Sequence, residues 1–251
     1  GVNMSETVEE HGAKCTRMLG VQALAYVVFI VVALVFSAMR GPMDGASSAS
    51  VAVVAVVVLA VFHVCWPFRA GMADRIIGAV AGVLSLACVS TSFGSMVVPA
   101  NDAIMSNELA RNTYPMLRWA AAVAGLLVLL TVVAFGRQMA REERSHLIRA
   151  LSHCVTGGAA SISLGGWVFL PYVVAAGRHA GATAGTTKFV ALIVVMVVVA
   201  LVLAYASVFW CRELDAADNA REPWVGVALL PVMLFGLVVF AAALLIQIVG
   251  W

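Results

Sequence analysis

SHLIRALSHCVTGGAASISLGGWVFLPYVVAA, residues 145–176, decides how the chain reads. It is an apolar stretch longer than a bilayer core requires, and it combines a histidine, a run of small residues and an internal proline. Arg149, His153, Gly157, Ser161 and Gly165 recur every four residues, so on a helix they lie along one slowly drifting face. Such a face predicts a helix packed by close backbone approach near the centre of a helical bundle.

The rest of the chain fits that setting. Of 251 residues, 63% are hydrophobic and 11% charged, and the mean hydropathy is +1.02. Soluble domains carry roughly a quarter charged residues, so this chain has too little polar surface to cover itself in water. Several apolar runs have the ~20 residues needed to cross a hydrocarbon core of about 30 Å. Inside lipid the backbone must satisfy its own hydrogen bonds, and long Val/Ala/Leu runs without alternation do so as helices, not as a barrel. The class is therefore an all-α, polytopic transmembrane bundle in a single domain.

Seven spans are predicted, at about 18–39, 50–68, 75–99, 116–136, 145–176, 188–210 and 224–250. Connections are short, which leaves no separate soluble domain. Residues 4–17 are too acidic for the positive end of a signal peptide, so the first apolar run reads as a retained span. Lys14, Arg17, Arg69, Arg75, Arg137, Arg141, Arg144, Arg149, Arg212 and Arg221 fall on one side; Arg40, Arg111, Arg118, Arg178 and Lys188 fall on the other. The excess of basic residues predicts an N-in, C-out orientation. Trp66, Trp210 and Trp224 on the inner side, with Trp119 and Trp251 on the outer, read as aromatic belts. The host is a bacterial plasma membrane or an organelle inner membrane.

Between the spans, residues 136–149 read as helical extensions into the inner aqueous phase, 100–112 as a short outer helix capped near Ser106 or Asn107, and 181–187 as a loose loop. Small-residue pairs predict helix contacts or, alternatively, a pathway: Gly78 and Gly82 in the third span, Ala121 and Gly125 in the fourth, and Gly157, Ser161 and Gly165 in the fifth. The second and sixth spans, mostly Val, Ala and Leu, suit lipid exposure or a partner subunit. Ser85, Cys88, Ser90, Thr91, Ser92 and Ser95 in the third span would line a wet cavity or bond their own carbonyls. Four of the five cysteines sit near inner helix ends, with Cys88 in the third span, so a structural disulfide is not expected.

The chemistry is sparse. No Asp, Glu, Lys or Arg falls in the centre of a span, which argues against proton- or sodium-coupled transport. No zinc-protease, serine-hydrolase or phosphate-loop motif is present, and the small net charge of +2 gives no sign of a nucleic-acid partner. His63 and His153 fall at similar depth in the second and fifth spans, each with a neighbouring cysteine and arginine. Facing each other, they would suit a b-type haem; no metal site is assigned. Three functions follow as expectations: a non-catalytic subunit or scaffold of a larger membrane complex or homo-oligomer; a transporter or channel for a neutral or lipid-like solute, lined by the third and fifth spans; and a haem-binding electron carrier.

Overall fold

The computed structural model describes residues 4–141, 146–181, 185–214 and 216–250. Ten helices follow in order: α1 (Met4–Arg40), α2 (Gly45–Val64), α3 (Met72–Ser90), α4 (Gly94–Val97), α5 (Asp102–Ser106), α6 (Glu108–Met139), α7 (Leu147–Ser163), α8 (Leu170–Ala180), α9 (Thr186–Arg212) and α10 (Pro223–Val249). A 3₁₀ segment, Leu164–Phe169, joins α7 to α8. No strand occurs among the described residues, and seven helical units are long and apolar enough to cross a membrane. The chain is an all-α, seven-span integral membrane protein.

The fifth span, α7 through α8, is the axis. In its apolar window 78% of residues are buried inside the molecule, against 6% for α9. The sixth span thus faces outward along nearly its whole length. The second does not match that description, because Val51, Ala55, Val58, Leu59 and Phe62 turn one face of α2 into the core.

Local chemistry explains most boundaries. Asp44 caps α2 by accepting from the Ala46 N–H (2.8 Å), and Gly41, at φ +95°, makes the turn before it. The third span stops at Ser90, earlier than the hydropathy run. Thr91 donates its hydroxyl to the Ala87 carbonyl (2.6 Å) and accepts from the Phe93 N–H (3.2 Å), so the Ser/Thr run bonds local backbone and ends the helix. Ser95 likewise bonds Ser92 O (2.5 Å). Asn101 caps the short α5, whereas Asn107 caps α6, which starts at Glu108 and runs through Pro115. Residues 108–112 therefore belong to the fourth span, not to a separate outer helix. The expected extensions within 136–149 and the loop at 181–187 lie partly outside the described residues; α6 itself ends at Met139.

The break in the fifth span has a clear cause. Pro171 has no N–H to give to the Trp167 carbonyl four residues back. That carbonyl instead accepts from the Leu170 N–H in a tighter, three-residue turn. Gly165 and Gly166 lie in the same segment, and a Cβ on Gly166 would sit 2.0 Å from the Gly236 carbonyl oxygen of α10. Reciprocally, a Cβ on Gly236 would sit 2.1 Å from Ser163 O. Two backbones meet here with no room for a methyl group. Beside the crossing, Trp167 donates its indole N–H to Val232 O (2.7 Å) and stacks on Phe29 of α1 (4.3 Å, 8°).

Two of the tryptophans read as belt residues are core residues: Trp66 is 4% exposed and Trp119 is 0%. Trp119 packs between Phe169 and Phe240 and donates to the Ser85 hydroxyl (3.1 Å), which in turn donates to Ile162 O (2.6 Å). Trp210 remains at the surface, Trp224 is half-buried, and Trp251 lies outside the described residues. The Ala121/Gly125 pair is also corrected. Both residues are exposed, and a Cβ on Gly125 would meet nothing within 4 Å.

Gly236→Ala is expected to lower stability by about 3 kcal/mol or more, because backbone rather than a mobile side chain must move. Gly125→Ala, into open space, is expected to leave stability unchanged or raised. Thermal unfolding of the two variants in the same detergent checks both.

Candidate functional site

His63 belongs to α2, and its imidazole lies over Gly78 of α3, with Cε1 3.2 Å from where a Cβ would stand. Its Nε2 is 3.0 Å from the Ser161 hydroxyl of α7. That hydroxyl already donates its single proton to Gly157 O (2.8 Å), so it can only accept from His63. The network therefore assigns the proton to Nε2 and leaves Nδ1 as a buried lone pair without a hydrogen-bond partner.

His153 sits elsewhere on the same chain of rings. His63 stacks on Trp66 (5.2 Å), Trp66 meets Phe68 edge-on (5.3 Å), and Phe68 stacks on His153 (5.1 Å). The two imidazoles are thus linked through two intervening aromatic rings. Shared ligation of a haem iron needs a lone pair from each histidine directed at one point. With Nε2 of His63 carrying the proton bonded to Ser161, the lone pair of that ring is on Nδ1.

The small residues lie at contacts. A Cβ on Gly82 would meet Leu59 Cδ1 at 2.8 Å and Ser161 Cβ at 3.0 Å; one on Gly157 would meet Trp66 at 2.4 Å; one on Gly165 would meet Ser85 Oγ at 2.8 Å and Trp119 at 2.9 Å. Side chains of α2, α3 and α6, with Trp66 from the connection after α2, lie beside these glycines.

The open volume is on the other side of the fifth span. A cleft of about 770 Å³ lies between α1, α8, α9 and α10. Its α1 wall runs from Leu19 through Gln22, Tyr26 and Ile30 to Leu34, about 22 Å of helix. Its α9 wall runs from Phe189 through Ile193, Met196 and Ala200 to Ala204. Trp167, Phe235 and Val239 form the floor. Ile30, Leu34 and Leu201 are exposed on the rims, so the cleft faces the lipid laterally.

Gln22 and Ala204 stand toward one end of the cleft. There Gln22, 2% exposed, donates its amide N–H groups to Ser207 Oγ (3.4 Å) and Ala228 O (3.2 Å), tying α1 to α9 and α10. Ser207 donates its own hydroxyl to Ala204 O of the same helix (2.6 Å), with Met18 Sδ nearby at 3.6 Å. At the opposite end stand Arg178, exposed, and Phe189, whose ring covers Gly177. Midway, Tyr26 is held edge-on against Phe235 (5.3 Å) and beside Trp167 (5.9 Å). Its hydroxyl is shut off from solvent and has no hydrogen-bond partner. An unpaired hydroxyl in an apolar wall carries a cost of roughly 1–3 kcal/mol until something bonds to it.

Sequence reasoning did not find this site. Its residues come from four helices and the 3₁₀ segment, and only topology brings them together. A second feature it missed is the ion pair between Asp74 and Arg137 (2.9 Å), with the Asp74 side chain 2% exposed. Asp74 lies in the first turn of α3 and Arg137 in the last turn of α6, where each charge also favours the local helix dipole.

Compared with protein-family models, curated proteins and solved structures, the chain matches none of them.

Ser161→Ala is expected to destabilise the protein by about 1–3 kcal/mol, since it strands the buried His63 N–H. Unfolding of this variant beside wild type, followed by tryptophan fluorescence, provides the check.

Proposed function

We propose that this chain is a non-catalytic integral membrane protein whose cleft holds a long-chain, anionic, lipid-like amphiphile. The cleft between α1 and α9 carries the reading. Its walls are apolar, it opens sideways to lipid, and its length of about 22 Å exceeds one leaflet of a core roughly 30 Å thick. An acyl chain can therefore enter from the bilayer without crossing water. Arg178 at one mouth offers a headgroup partner. Whether binding serves transfer, sensing or assembly, the same site is used.

Purified protein in nanodiscs, titrated with oleate and with methyl oleate as the neutral comparison, tests the proposal. Oleate is expected to bind more tightly than methyl oleate. Ala200→Trp, which fills the cleft, is expected to weaken both by tenfold or more. Arg178→Gln is expected to weaken oleate alone, and Tyr26→Phe to stabilise the empty protein. Unchanged oleate binding in Ala200→Trp would rule the cleft out.

The subunit reading keeps one specific support, the outward face of α9, with Val194, Val195, Val197, Val198, Leu201 and Val202 all exposed. A larger particle in native mass measurement from mild detergent is its expected outcome; a lone chain would remove it.

A further inference from the structure

Beyond the Gln22–Ser207 contact, α1 and α9 bring two thiols together. Cys15 of α1 and Cys211 of α9 place their sulfur atoms 2.9 Å apart across 196 positions of sequence. Both side chains sit in a small cluster with Met18, Val227 and Ala228, so the contact is fixed by packing from three helices. Cys211 is 7% exposed, whereas Cys15 is half-buried and lies among the polar residues that precede the apolar part of α1. One thiol is reachable from the aqueous boundary, and the other is already positioned behind it.

Joining them needs the sulfurs to approach by less than 1 Å, to the ~2.05 Å of a disulfide. The other cysteines have no such neighbour: Cys65, Cys88 and Cys154 are free thiols with no sulfur contact among the described residues. We infer that Cys15 and Cys211 form a reversible redox pair whose disulfide ties α1 to α9.

The chemistry balances with a small-molecule disulfide, such as glutathione disulfide, as oxidant. The Cys15 thiolate attacks one sulfur of the oxidant, forms a mixed disulfide and releases one small thiolate. The Cys211 thiolate then attacks Cys15 Sγ, forms the protein disulfide and expels the second small thiolate. The two protons leaving the cysteines end on the two released thiols, and two electrons pass from the protein to the oxidant. A small thiol reductant reverses the sequence.

The assignment stands independently of the amphiphile reading, because it is read from sulfur chemistry alone. The test is to hold purified protein in detergent with glutathione disulfide, denature it, label with N-ethylmaleimide and measure intact mass. Reduced protein is expected to take five labels and oxidised protein three, with non-reducing peptide mapping joining the Cys15 and Cys211 peptides. Dithiothreitol is expected to restore five. Cys15→Ser and Cys211→Ala are each expected to keep four labels with and without oxidation once bound glutathione is stripped under mild reduction. Five labels on oxidised wild type, or a crosslink joining any other pair, would overturn the proposal.

Discussion

The crossing of the fifth and seventh spans at Gly166 and Gly236 sets the rest of the bundle. In lipid, apolar burial gives helices little reason to associate, because acyl chains are as apolar as leucine. What remains is close packing and the few hydrogen bonds that can be made across helices. At this crossing both act together: two backbones touch without intervening side chains, and Trp167 reaches from one to the carbonyl of Val232 on the other. The 3₁₀ turn forced by Pro171 makes that reach possible. It rotates Trp167 toward α1 and α10 and leaves Phe169 facing α6.

From this point the molecule divides into a filled half and an open half. On the filled side, glycines of α3, α7 and the 3₁₀ segment receive Leu59, Trp66, Leu130 and Trp119, and His63, Ser85 and Trp119 each bond a partner on another helix. On the open side, the space between α1, α8, α9 and α10 is the cleft.

Much of the fold is legible in the residues. The apolar runs mark seven spans because the bilayer imposes a length, and the stripe in the fifth span marks a buried helix because small residues let backbones approach closely. The ends were harder to read, as at Ser90, where hydroxyls that raise no hydropathy signal stop the helix. Trp119 misled for a related reason. A tryptophan near a span end looks like an interface anchor, and only its ring neighbours and the bond to Ser85 reveal a core residue. The cleft was out of reach, since it is a space left between helices whose inward positions are Val, Leu and Ile like their outward ones. Cys15 and Cys211 were readable as residues on one side of the membrane, but nothing in their spacing says that α1 and α9 touch there.

The distribution of polar atoms bears on where function can reside. A transmembrane bundle without central charge has to recognise a ligand by shape and by single hydrogen bonds. Most of the buried hydroxyls and indoles here are spent on carbonyls, as with Ser85, Ser161, Ser163 and Trp167. Groups spent in this way hold the fold and are not free for a visitor. The Tyr26 hydroxyl is different, because it is fixed by ring packing beside the cleft and bonded to nothing. A phenylalanine there would satisfy the packing without stranding a donor. An unspent hydroxyl at that position makes sense if the wall is completed by something that arrives from the bilayer.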